Sequence, residues 1–382
     1  TIYCPVSRVT EKYPGPKLSG PDAERLRIKN PELVDNSLTY CNNCKRCEVA
    51  CPSDVDITEL INNAKRNYIK QKWFRIRDYI LSRTDMMGQL ATKFAGLTNI
   101  FLKSIISKFF FDLFLKIPYK VSYPSFNKGT FSKWFNKNLK LQKNYSRYFT
   151  YFHGCYVNYY DAQLGKDLIF ILNSCNIGVN IINEKCCGVP LIANGYLNKA
   201  KQHAKHNTKL LTKQKDSKII ITSSSCTLAI KNEYPNLLKI DNSAIVNKIE
   251  YATKILTELF EKEEYKNKLH PLNIRVAYHT PCHLERLGGV LYTISLLKKI
   301  PGLELILLNS ECCGIAGTYG FKKEYYEISQ DIGEQLFKKI QSVDPEYVVT
   351  DCETCAMQIK MNTDYEVLHP VNILSASLKN YI

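Results

Sequence analysis

The sequence predicts a multidomain protein of mixed α+β and α/β class, with a small helical domain, a helical basic segment and two duplicated α/β domains. Three observations support this prediction. Most of the 15 cysteines fall into tight groups, a long basic stretch contains no cysteine, and short β-branched runs alternate with helical periodicity in the rest of the chain. A chain of 382 residues is long enough for several domains that each bury a core of their own.

The predicted boundaries follow these changes in composition. The chain divides into a cysteine-rich domain at residues 1–64, the basic segment at 65–147, a first repeat at 148–241, a linker helix at 242–272 and a second repeat at 273–382. The cysteine pattern favours ligands over disulfides, because the adjacent pairs Cys186-Cys187 and Cys312-Cys313 would make strained bridges. We therefore expect a reducing, cytoplasmic environment.

The motif Cys41-x-x-Cys44-x-x-Cys47-x-x-x-Cys51-Pro dominates the first domain. Three thiolates at this spacing hold one [4Fe-4S] cluster, and the fourth, followed by proline, reaches the other cluster in two-cluster ferredoxins. A zinc site is the alternative, but zinc usually takes two C-x-x-C pairs separated by a longer loop. The spacing therefore favours an iron-sulfur site.

Cys4, which is also followed by proline, is interpreted as the end of a first motif of the same kind. Its three earlier cysteines would precede the first residue of this sequence, so we expect an N-terminal truncation. On this interpretation Cys4 completes the cluster held by Cys41, Cys44 and Cys47. Cys51 would then bind the second cluster.

The basic segment accounts for nearly all of the net charge of +16. Residues 65–147 contain 18 lysines and arginines against three aspartates, whereas the rest of the chain has 34 basic and 33 acidic residues. A helix over residues 102–116 would be amphipathic, with one apolar arc formed by Leu102, Ile105, Ile106, Phe109, Phe110 and Leu113. This combination predicts peripheral binding to an anionic membrane surface.

Two other interpretations of the basic segment compete with membrane binding. A helix packed on the protein core, with its lysines in solvent, stays open as an alternative. Nucleic-acid binding is disfavoured, because no recognised binding motif accompanies the charge. No run of about eighteen uncharged apolar residues occurs, so we expect no membrane-spanning helix.

The remainder of the chain is an internal duplication. Three anchors recur in the same order: Cys155, Cys186-Cys187 and Cys226 in the first copy, and Cys282, Cys312-Cys313 and Cys355 in the second. The first and last anchors are 71 positions apart in one copy and 73 in the other. Adjacent cysteines can address neighbouring irons of a cluster, and the glycine that follows them lets the backbone approach closely. Each copy is therefore a candidate cluster site.

Some cysteines and histidines near these motifs are expected to be structural. Cys175 lies on the apolar side of a predicted helix and has no counterpart in the second copy, so we interpret it as a small core residue. His153, His279 and His283 lie next to the first cysteine of each copy. They could hydrogen-bond to cluster sulfur or move protons, although a single histidine is more often structural.

Longer motifs surround these cysteines. They are Tyr13-Pro-Gly-Pro-Lys17, Asn42-Asn-Cys-Lys-Arg-Cys-Glu-Val-Ala-Cys-Pro-Ser-Asp54, Gly154-Cys-Tyr-Val-Asn158, Cys186-Cys-Gly-Val-Pro-Leu-Ile-Ala-Asn-Gly195, Cys312-Cys-Gly-Ile-Ala-Gly-Thr-Tyr-Gly-Phe-Lys-Lys323 and Thr350-Asp-Cys-Glu-Thr-Cys355. Along nearly the whole chain, they resemble the family of the C subunit of anaerobic glycerol-3-phosphate dehydrogenase.

The resemblance implies a ferredoxin-like domain with two [4Fe-4S] clusters and two cysteine-rich CCG domains related to the B subunit of heterodisulfide reductase. It also implies a further, non-cubane [4Fe-4S] cluster on five cysteines of the second copy, namely Cys282, Cys312, Cys313, Cys352 and Cys355. The first copy departs from this pattern, because Ser223 stands where the second copy has Cys352. Whether the first copy binds a cluster on its four cysteines is left open.

The same resemblance implies an electron-transfer subunit that is no enzyme by itself. It would take electrons from the flavin-bearing A and B subunits and pass them to a menaquinone-type pool, bound peripherally at the cytoplasmic face of the inner membrane. No flavin fingerprint occurs in this chain, and alcohol oxidation needs a hydride acceptor, so another subunit must perform that chemistry. The alternatives are a heterodisulfide-reductase-like enzyme and the iron-sulfur subunit of a glycolate or lactate oxidase.

Overall fold

The computed structural model describes residues 2–71, 75–214, 217–308 and 311–380. Helices form the N-terminal part, and two parallel four-stranded sheets with surrounding helices form the rest. This arrangement confirms the predicted mixed α+β and α/β class. Within the described ranges, no helix is both long enough and apolar enough to cross a membrane.

Short helices surround the first cysteine motif. In chain order they are a π-helical turn at Leu18–Asp22, α1 at Ala23–Arg27, a 3-10 turn at Asn36–Tyr40, α2 at Arg46–Val49 and α3 at Ile57–Lys70. Helix α3 is amphipathic, and its buried residues Ile57, Ile61 and Ala64 belong to the same apolar cluster as Cys4 and Cys41. The cysteines of this domain therefore rest on an apolar base.

The basic segment is helical, as predicted, but the expected single helix over residues 102–116 is wrong in extent. The helices are α4 at Ile76–Ser82, α5 at Thr84–Lys93, α6 at Ala95–Lys103, α7 at Ile105–Leu115, α8 at Phe131–Lys137 and a 3-10 turn at Leu139–Gln142. Ser104 separates α6 from α7, because its backbone is extended and its hydroxyl accepts a hydrogen bond from the Ser107 amide at 3.1 Å. Serine is a preferred N-cap residue, so it begins a new helix here.

The apolar arc of α7 faces solvent. Ile105, Ile106 and Phe109 are 71%, 79% and 64% exposed, whereas Phe111 and Leu115, on the other side of the helix, pack against the core of the second repeat. Helix α7 thus packs on the protein core, as the alternative expected, but through Phe111 and Leu115 rather than through the predicted arc. Two apolar side chains of the preceding helix α6, Leu97 and Ile100, are also exposed, at 73% and 72%.

Buried ion pairs attach the basic segment to the second repeat. The guanidinium of Arg77 contacts both carboxylate oxygens of Glu324, at 2.6 and 2.7 Å, in a bidentate arrangement. Asp78 pairs with Lys322 at 3.1 Å. Burial lowers the pKa of Lys322 to about 8, with Asp78 partly restoring it. These pairs hold the exposed helices against the α/β domains.

The first repeat contains a parallel sheet in the order β2-β1-β3-β4. Its strands are β1 at Arg147–Tyr151, β2 at Ile177–Ile181, β3 at Ile219–Ile221 and β4 at Ile249–Tyr251. The helices between them are α9 at Gly154–Tyr159, α10 at Ala162–Ser174, α11 at Val189–Ala193, α12 at Leu197–Thr212, α13 at Ser224–Leu228, a π-helical turn at Ala229–Glu233, α14 at Tyr234–Asn236 and α15 at Ser243–Val246.

Residues 242–272, predicted as a linker helix, contain the fourth strand of this sheet. Strand β4 pairs in parallel with β3, with Ile219 opposite Ile249 and Ile221 opposite Tyr251. The single linker helix is therefore wrong, since α15, α16 at Ala252–Leu259 and α17 at Glu263–Lys266 are separate helices. A strand of three residues is too short to leave a period-two signal in the sequence.

The second repeat has the equivalent order, β6-β5-β7-β8. Its strands are β5 at Arg275–His279, β6 at Glu304–Leu307, β7 at Tyr347–Thr350 and β8 at Glu366–Leu368. Its helices are α18 at Cys282–Arg286, α19 at Val290–Lys298, a 3-10 turn at Tyr319–Phe321, α20 at Lys323–Val343, α21 at Glu353–Asn362 and α22 at Pro370–Lys379. The duplication of the cysteine anchors is thus also a duplication of topology.

A buried hydrogen-bond network joins the two copies. The carboxylate of Asp351 accepts hydrogen bonds from Tyr251, Tyr278 and Thr293, at 3.0, 2.5 and 2.9 Å respectively. Burial raises the pKa of Asp351 to about 6, and these donors oppose the rise. One apolar cluster also contains strand residues of both copies, including Tyr151 and Val349. The two repeats therefore share a core.

The first domain docks on both copies through polar contacts. The guanidinium of Arg286 lies 3.3 Å from Glu48 and 3.6 Å from both Asp54 and Asp56. Asn43 donates a hydrogen bond to Glu233 of the first copy at 3.1 Å. These contacts place the first cysteine motif beside the segments that follow β5 and β3.

Candidate metal centres

The first centre is formed by four cysteines of the N-terminal domain. Cys4, Cys41, Cys44 and Cys47 line one small cavity, together with Tyr13 and Thr58. Among the described residues, Cys51 is not part of this lining, although its side chain packs at the edge of the same apolar cluster. The structure thus brings Cys4 to the three cysteines that the sequence analysis assigned to it, and places Cys51 apart.

The loop between these cysteines directs amide groups at the sulfur atoms. Asn43 and Lys45 have positive φ angles of 56° and 61°, which turn the chain sharply between the ligands. The amides of Asn43 and Arg46 donate to the thiols of Cys41 and Cys44. Burial nevertheless raises the pKa of both thiols, so their ionisation requires a positive charge nearby. Iron supplies such a charge, and the donor set fits a cluster.

The second centre lies in the first repeat. The sulfur atoms of Cys155 and Cys186 are 3.9 Å apart, and those of Cys187 and Cys226 are 3.1 Å apart. Thr84, at the start of α5, donates to Cys155 at 3.5 Å and to Cys186 at 3.6 Å. Sequence reasoning missed Thr84, because it belongs to a segment without any cysteine and reaches this centre only through tertiary folding.

Ser223 has another role in the first repeat. Its hydroxyl accepts from the Cys226 amide at 3.2 Å, which caps α13, and donates to Glu353 of the second copy at 3.1 Å. Burial raises the pKa of Glu353 to about 8, and the Ser223 hydroxyl opposes this shift. Ser223 is therefore a helix cap and a link between the copies, and a hydroxyl is a poor ligand for cluster iron.

The third centre gathers the five cysteines of the second repeat. Cys313 and Cys355 have sulfur atoms 3.2 Å apart, and Cys352 begins the helix that carries Cys355. Cys282 is half-buried at the start of α18, and Cys312 is buried beside Cys313. Burial raises the pKa of Cys282 to about 12. The Cys355 thiol lowers the pKa of Cys352 to about 6 instead, so the thiols of this centre differ in how readily they ionise. A positive charge such as iron would favour the ionised form of them all.

His279 is an additional group at the third centre. It is the last residue of β5, it is buried, and one ring nitrogen lies within 4.8 Å of the sulfur atoms of Cys313 and Cys355. Within the described residues neither ring nitrogen forms a hydrogen bond of good geometry, although His279 is one of the groups that lower the pKa of the Cys313 thiol. A buried unpaired polar group is costly, so this imidazole fits a site whose remaining atoms are those of an anionic cluster.

The other two histidines have ordinary partners. His153 lies 2.9 Å from the Gly154 carbonyl oxygen and 3.1 Å from Glu184. His283 contacts Ser225 at 2.9 Å and the Asn43 carbonyl at 3.2 Å. Their structural interpretation agrees with these contacts. Cys175 is buried in the shared apolar core, which confirms its interpretation as a core residue.

Arg46 lies between the first and third centres. Its pKa is raised, because Cys312, Cys282, Glu285 and Cys44 together outweigh the burial that opposes its charge. In the part of the chain that the structure describes, two of its buried guanidinium nitrogens form no hydrogen bond, and one of them lies 3.7 Å from a carboxylate oxygen of Glu285. Burial is the largest cause of the raised pKa of Cys44, and the charge of the nearby Cys282 is the second largest. The two centres are therefore adjacent, with an arginine between them that can compensate negative charge on either side.

Comparisons with known proteins agree with this arrangement. The fold and its cysteines define a protein with two tandem cysteine-rich domains: the family model described as "CCG: Cysteine-rich domain" matches residues 149–231 and 276–360. The chain is 47% identical to the C subunit of anaerobic glycerol-3-phosphate dehydrogenase of Escherichia coli (strain K12), over 99% of this chain and 96% of that protein. It belongs to the family of this subunit.

Two more distant similarities accompany this one. An uncharacterized iron-sulfur protein of Methanococcus maripaludis is 25% identical over 94% of this chain and 65% of its own length. The crystal structure of a hypothetical protein from Helicobacter pylori superposes with a TM-score of 0.50 at 12% identity, covering 99% of this chain and 71% of that one. The latter supports the fold alone.

We expect the change His279→Phe to make the reduction potential of the third centre more negative. Hydrogen bonds to cluster sulfurs stabilise the reduced, more anionic state. If the lost hydrogen bond stabilised the reduced cluster by about 1 kcal/mol, the reduction potential should become more negative by about 40 mV for a one-electron step. Redox titration followed by electron paramagnetic resonance measures the shift.

Phenylalanine is a conservative choice here, because Phe152 occupies the equivalent position, three residues before the first cysteine, in the first repeat. The matched variant His279→Gln keeps an N–H donor and should restore most of the potential. An unchanged potential in His279→Phe, with full iron content, would show that the imidazole does not donate to the cluster.

Proposed function

We propose that this chain is the iron-sulfur electron-transfer and membrane-docking subunit of an anaerobic sn-glycerol-3-phosphate dehydrogenase. It would take electrons from flavin-bearing catalytic subunits and deliver them to the quinone pool. Membership of the C-subunit family supports the partner enzyme. The observation that carries the electron-transfer role is the adjacency of the first and third centres, since Cys312 belongs to the same buried cluster as Cys4 and Cys41.

The proposed metal ligands are the cysteines predicted from the sequence. They are Cys4, Cys41, Cys44, Cys47 and Cys51 in the first domain, Cys155, Cys186, Cys187 and Cys226 in the first repeat, and Cys282, Cys312, Cys313, Cys352 and Cys355 in the second. Iron-sulfur clusters on these thiolates would supply one-electron transfer. The chain itself holds the thiolates, directs amide donors at them and excludes water by burial.

The division of labour follows from the positions of the three centres. The first domain would receive electrons from the partner subunits. Because this domain contacts the second repeat, the third centre would accept the electrons next. In the first repeat the hydroxyl of Ser223 caps helix α13. This repeat would therefore bind a cluster on four cysteines or serve as a scaffold for the partner subunits. Alcohol oxidation itself would stay with the flavin of the partner, since hydride transfer needs a two-electron acceptor.

The exposed surface of α6 and α7 supports docking on a membrane. Ile105, Ile106 and Phe109 project into solvent from a segment that carries most of the net charge of the chain. Contiguous exposed apolar residues beside lysines fit the boundary between headgroups and acyl chains of an anionic leaflet. In this proposal the protein is bound peripherally at the cytoplasmic face of the inner membrane, where the quinone is dissolved.

Reconstitution tests this function. The cluster-loaded chain is combined with the flavin-bearing dehydrogenase on vesicles of phosphatidylglycerol and phosphatidylethanolamine that contain menaquinone. Addition of glycerol 3-phosphate should produce menaquinol only when this chain is present. Equal menaquinol formation by the dehydrogenase alone would contradict the proposal. Reduction driven instead by lactate or glycolate with their flavoproteins, or reoxidation of the reduced chain by a disulfide, would favour the alternative functions.

A further inference from the structure

A cavity of about 810 Å³ lies between the two repeats, and Cys352 is the one cysteine among the described residues that line it. Helices α10 and α22 and strand β8 contribute to its lining, and the segment 122–125, whose Ser122 and Ser125 are exposed, forms part of its rim. Its volume falls within the range of about 300 to 1,000 Å³ that small-molecule sites occupy. The cavity can therefore hold a ligand of moderate size.

The walls of this cavity suit a flat aromatic ligand. The rings of Tyr156 and Tyr160 stack with their centroids 5.7 Å apart, and both line the cavity. Met357 and Met361 of α21 face the same space. Aromatic rings and flexible thioethers bind planar apolar groups well. Tyrosine hydroxyls and the ammonium of Lys360 also line the cavity, and they can donate hydrogen bonds to ligand oxygens.

The cavity also reaches the third centre. Cys352, one of the five cysteines of that centre, and its neighbour Glu353 are part of the lining. A ligand in the cavity would therefore contact a residue that holds the cluster. The other cysteines of the third centre are not among the described residues that line this space.

The rim of the cavity is attached to the exposed apolar helices. Phe126 follows the rim segment, and its backbone exchanges two hydrogen bonds with the side chain of Asn99 in α6, at 2.9 and 2.7 Å. The ring of Tyr123 packs on Phe111 of α7 with centroids 6.0 Å apart. Thus one short segment joins the cavity mouth to the surface that carries the exposed apolar side chains.

We infer that this cavity is the binding site for the head group of a lipophilic para-quinone. A quinone combines a flat apolar ring with two carbonyl oxygens. Its hydrocarbon tail would stay in the membrane, because the rim of the cavity is joined to the helices that carry the exposed apolar side chains. Reduction to the quinol would take two electrons, supplied by the partner flavoprotein and carried singly by a cluster that the cysteines of the third centre would hold, and two protons from solvent at the cavity mouth. The inference rests on the proposed function and adds the place where its acceptor binds.

The test uses a bulky side chain that occupies part of the cavity. Met357→Trp, on the wall, and Ser125→Trp, at the exposed rim, are each expected to weaken binding of the quinone analogue 2-heptyl-4-hydroxyquinoline N-oxide. Fluorescence quenching of the analogue by the cluster-loaded protein should show a Kd raised by about tenfold or more. The KM for 2,3-dimethyl-1,4-naphthoquinone in reoxidation of the dithionite-reduced protein should rise in parallel, while iron content and vesicle binding stay unchanged.

Leu291→Trp is the matched control, because it places the same side chain at an exposed position outside the cavity. Its Kd and KM should equal those of the wild type. Unchanged values in Ser125→Trp and Met357→Trp, with a wild type that reduces the naphthoquinone, would overturn the cavity as the site and leave the proposed function standing. A wild type whose reduced centres are not reoxidised by quinone, but are reoxidised by a disulfide, would overturn both.

Discussion

The change Cys352→Ser is expected to abolish electron transfer to quinone while the clusters of the first domain remain reducible. Thiolate is a far better ligand for cluster iron than a serine hydroxyl, whose proton is hard to remove near neutral pH. The variant converts the second repeat to the pattern of the first, where Ser223 stands at this position. Iron content, the paramagnetic resonance spectrum of the reduced protein and quinone reduction measure the outcome together.

Cys175→Ser provides the control for this substitution. Cys175 is buried in the apolar core away from the three centres, so its replacement should lower stability by roughly 1–3 kcal/mol without loss of iron. Full activity and full iron content in Cys352→Ser would mean that four ligands suffice in both repeats. The five-cysteine site would then be incorrect.

The double variant Ile106→Asp with Phe109→Asp is expected to weaken vesicle binding by about a hundredfold or more. Each of these exposed side chains contributes up to roughly 1.5–3 kcal/mol when its apolar surface is buried in the membrane, and an aspartate is also repelled by an anionic leaflet. Because both side chains face solvent, the folded protein should keep its stability. Sedimentation with phosphatidylglycerol vesicles measures the affinity.

Leu291→Asp is the matched control for membrane binding, since Leu291 is exposed but lies outside the basic segment. Its vesicle affinity should equal that of the wild type. High salt should weaken binding of the wild type without abolishing it, because the apolar contribution persists when the charges are screened. If the double variant bound vesicles as well as Leu291→Asp does, the α6–α7 surface would have to be withdrawn as the membrane contact.

Much of the candidate site could be predicted because its chemistry depends on local spacing. Cys41, Cys44 and Cys47 lie within seven residues, and an adjacent pair such as Cys312 and Cys313 needs no tertiary information to be recognised. The duplication was likewise visible, since its anchors recur at nearly equal separation. Cys4 could be assigned only by analogy with the fourth ligand of a ferredoxin motif, and the fold places it in the same cavity.

The errors in the predicted fold have local physical causes. The expected helix over 102–116 is interrupted because the hydroxyl of Ser104 caps a new helix, a possibility that apolar periodicity does not reveal. The predicted linker helix contains β4, whose three residues are held by pairing with β3 rather than by their own pattern. Short elements of this kind depend on their neighbours.

The sequence by itself determined the number of cysteine groups, the repeat and the location of the charge, and it predicted cysteine thiolates as the ligands, because each depends on residue type and spacing along the chain. Only the tertiary structure decided which groups meet. Thr84 reaches Cys155 and Cys186, Arg46 lies between two centres, and His279 lies beside Cys313 and Cys355. These contacts join residues far apart in sequence, and their positions depend on how the sheets and helices pack.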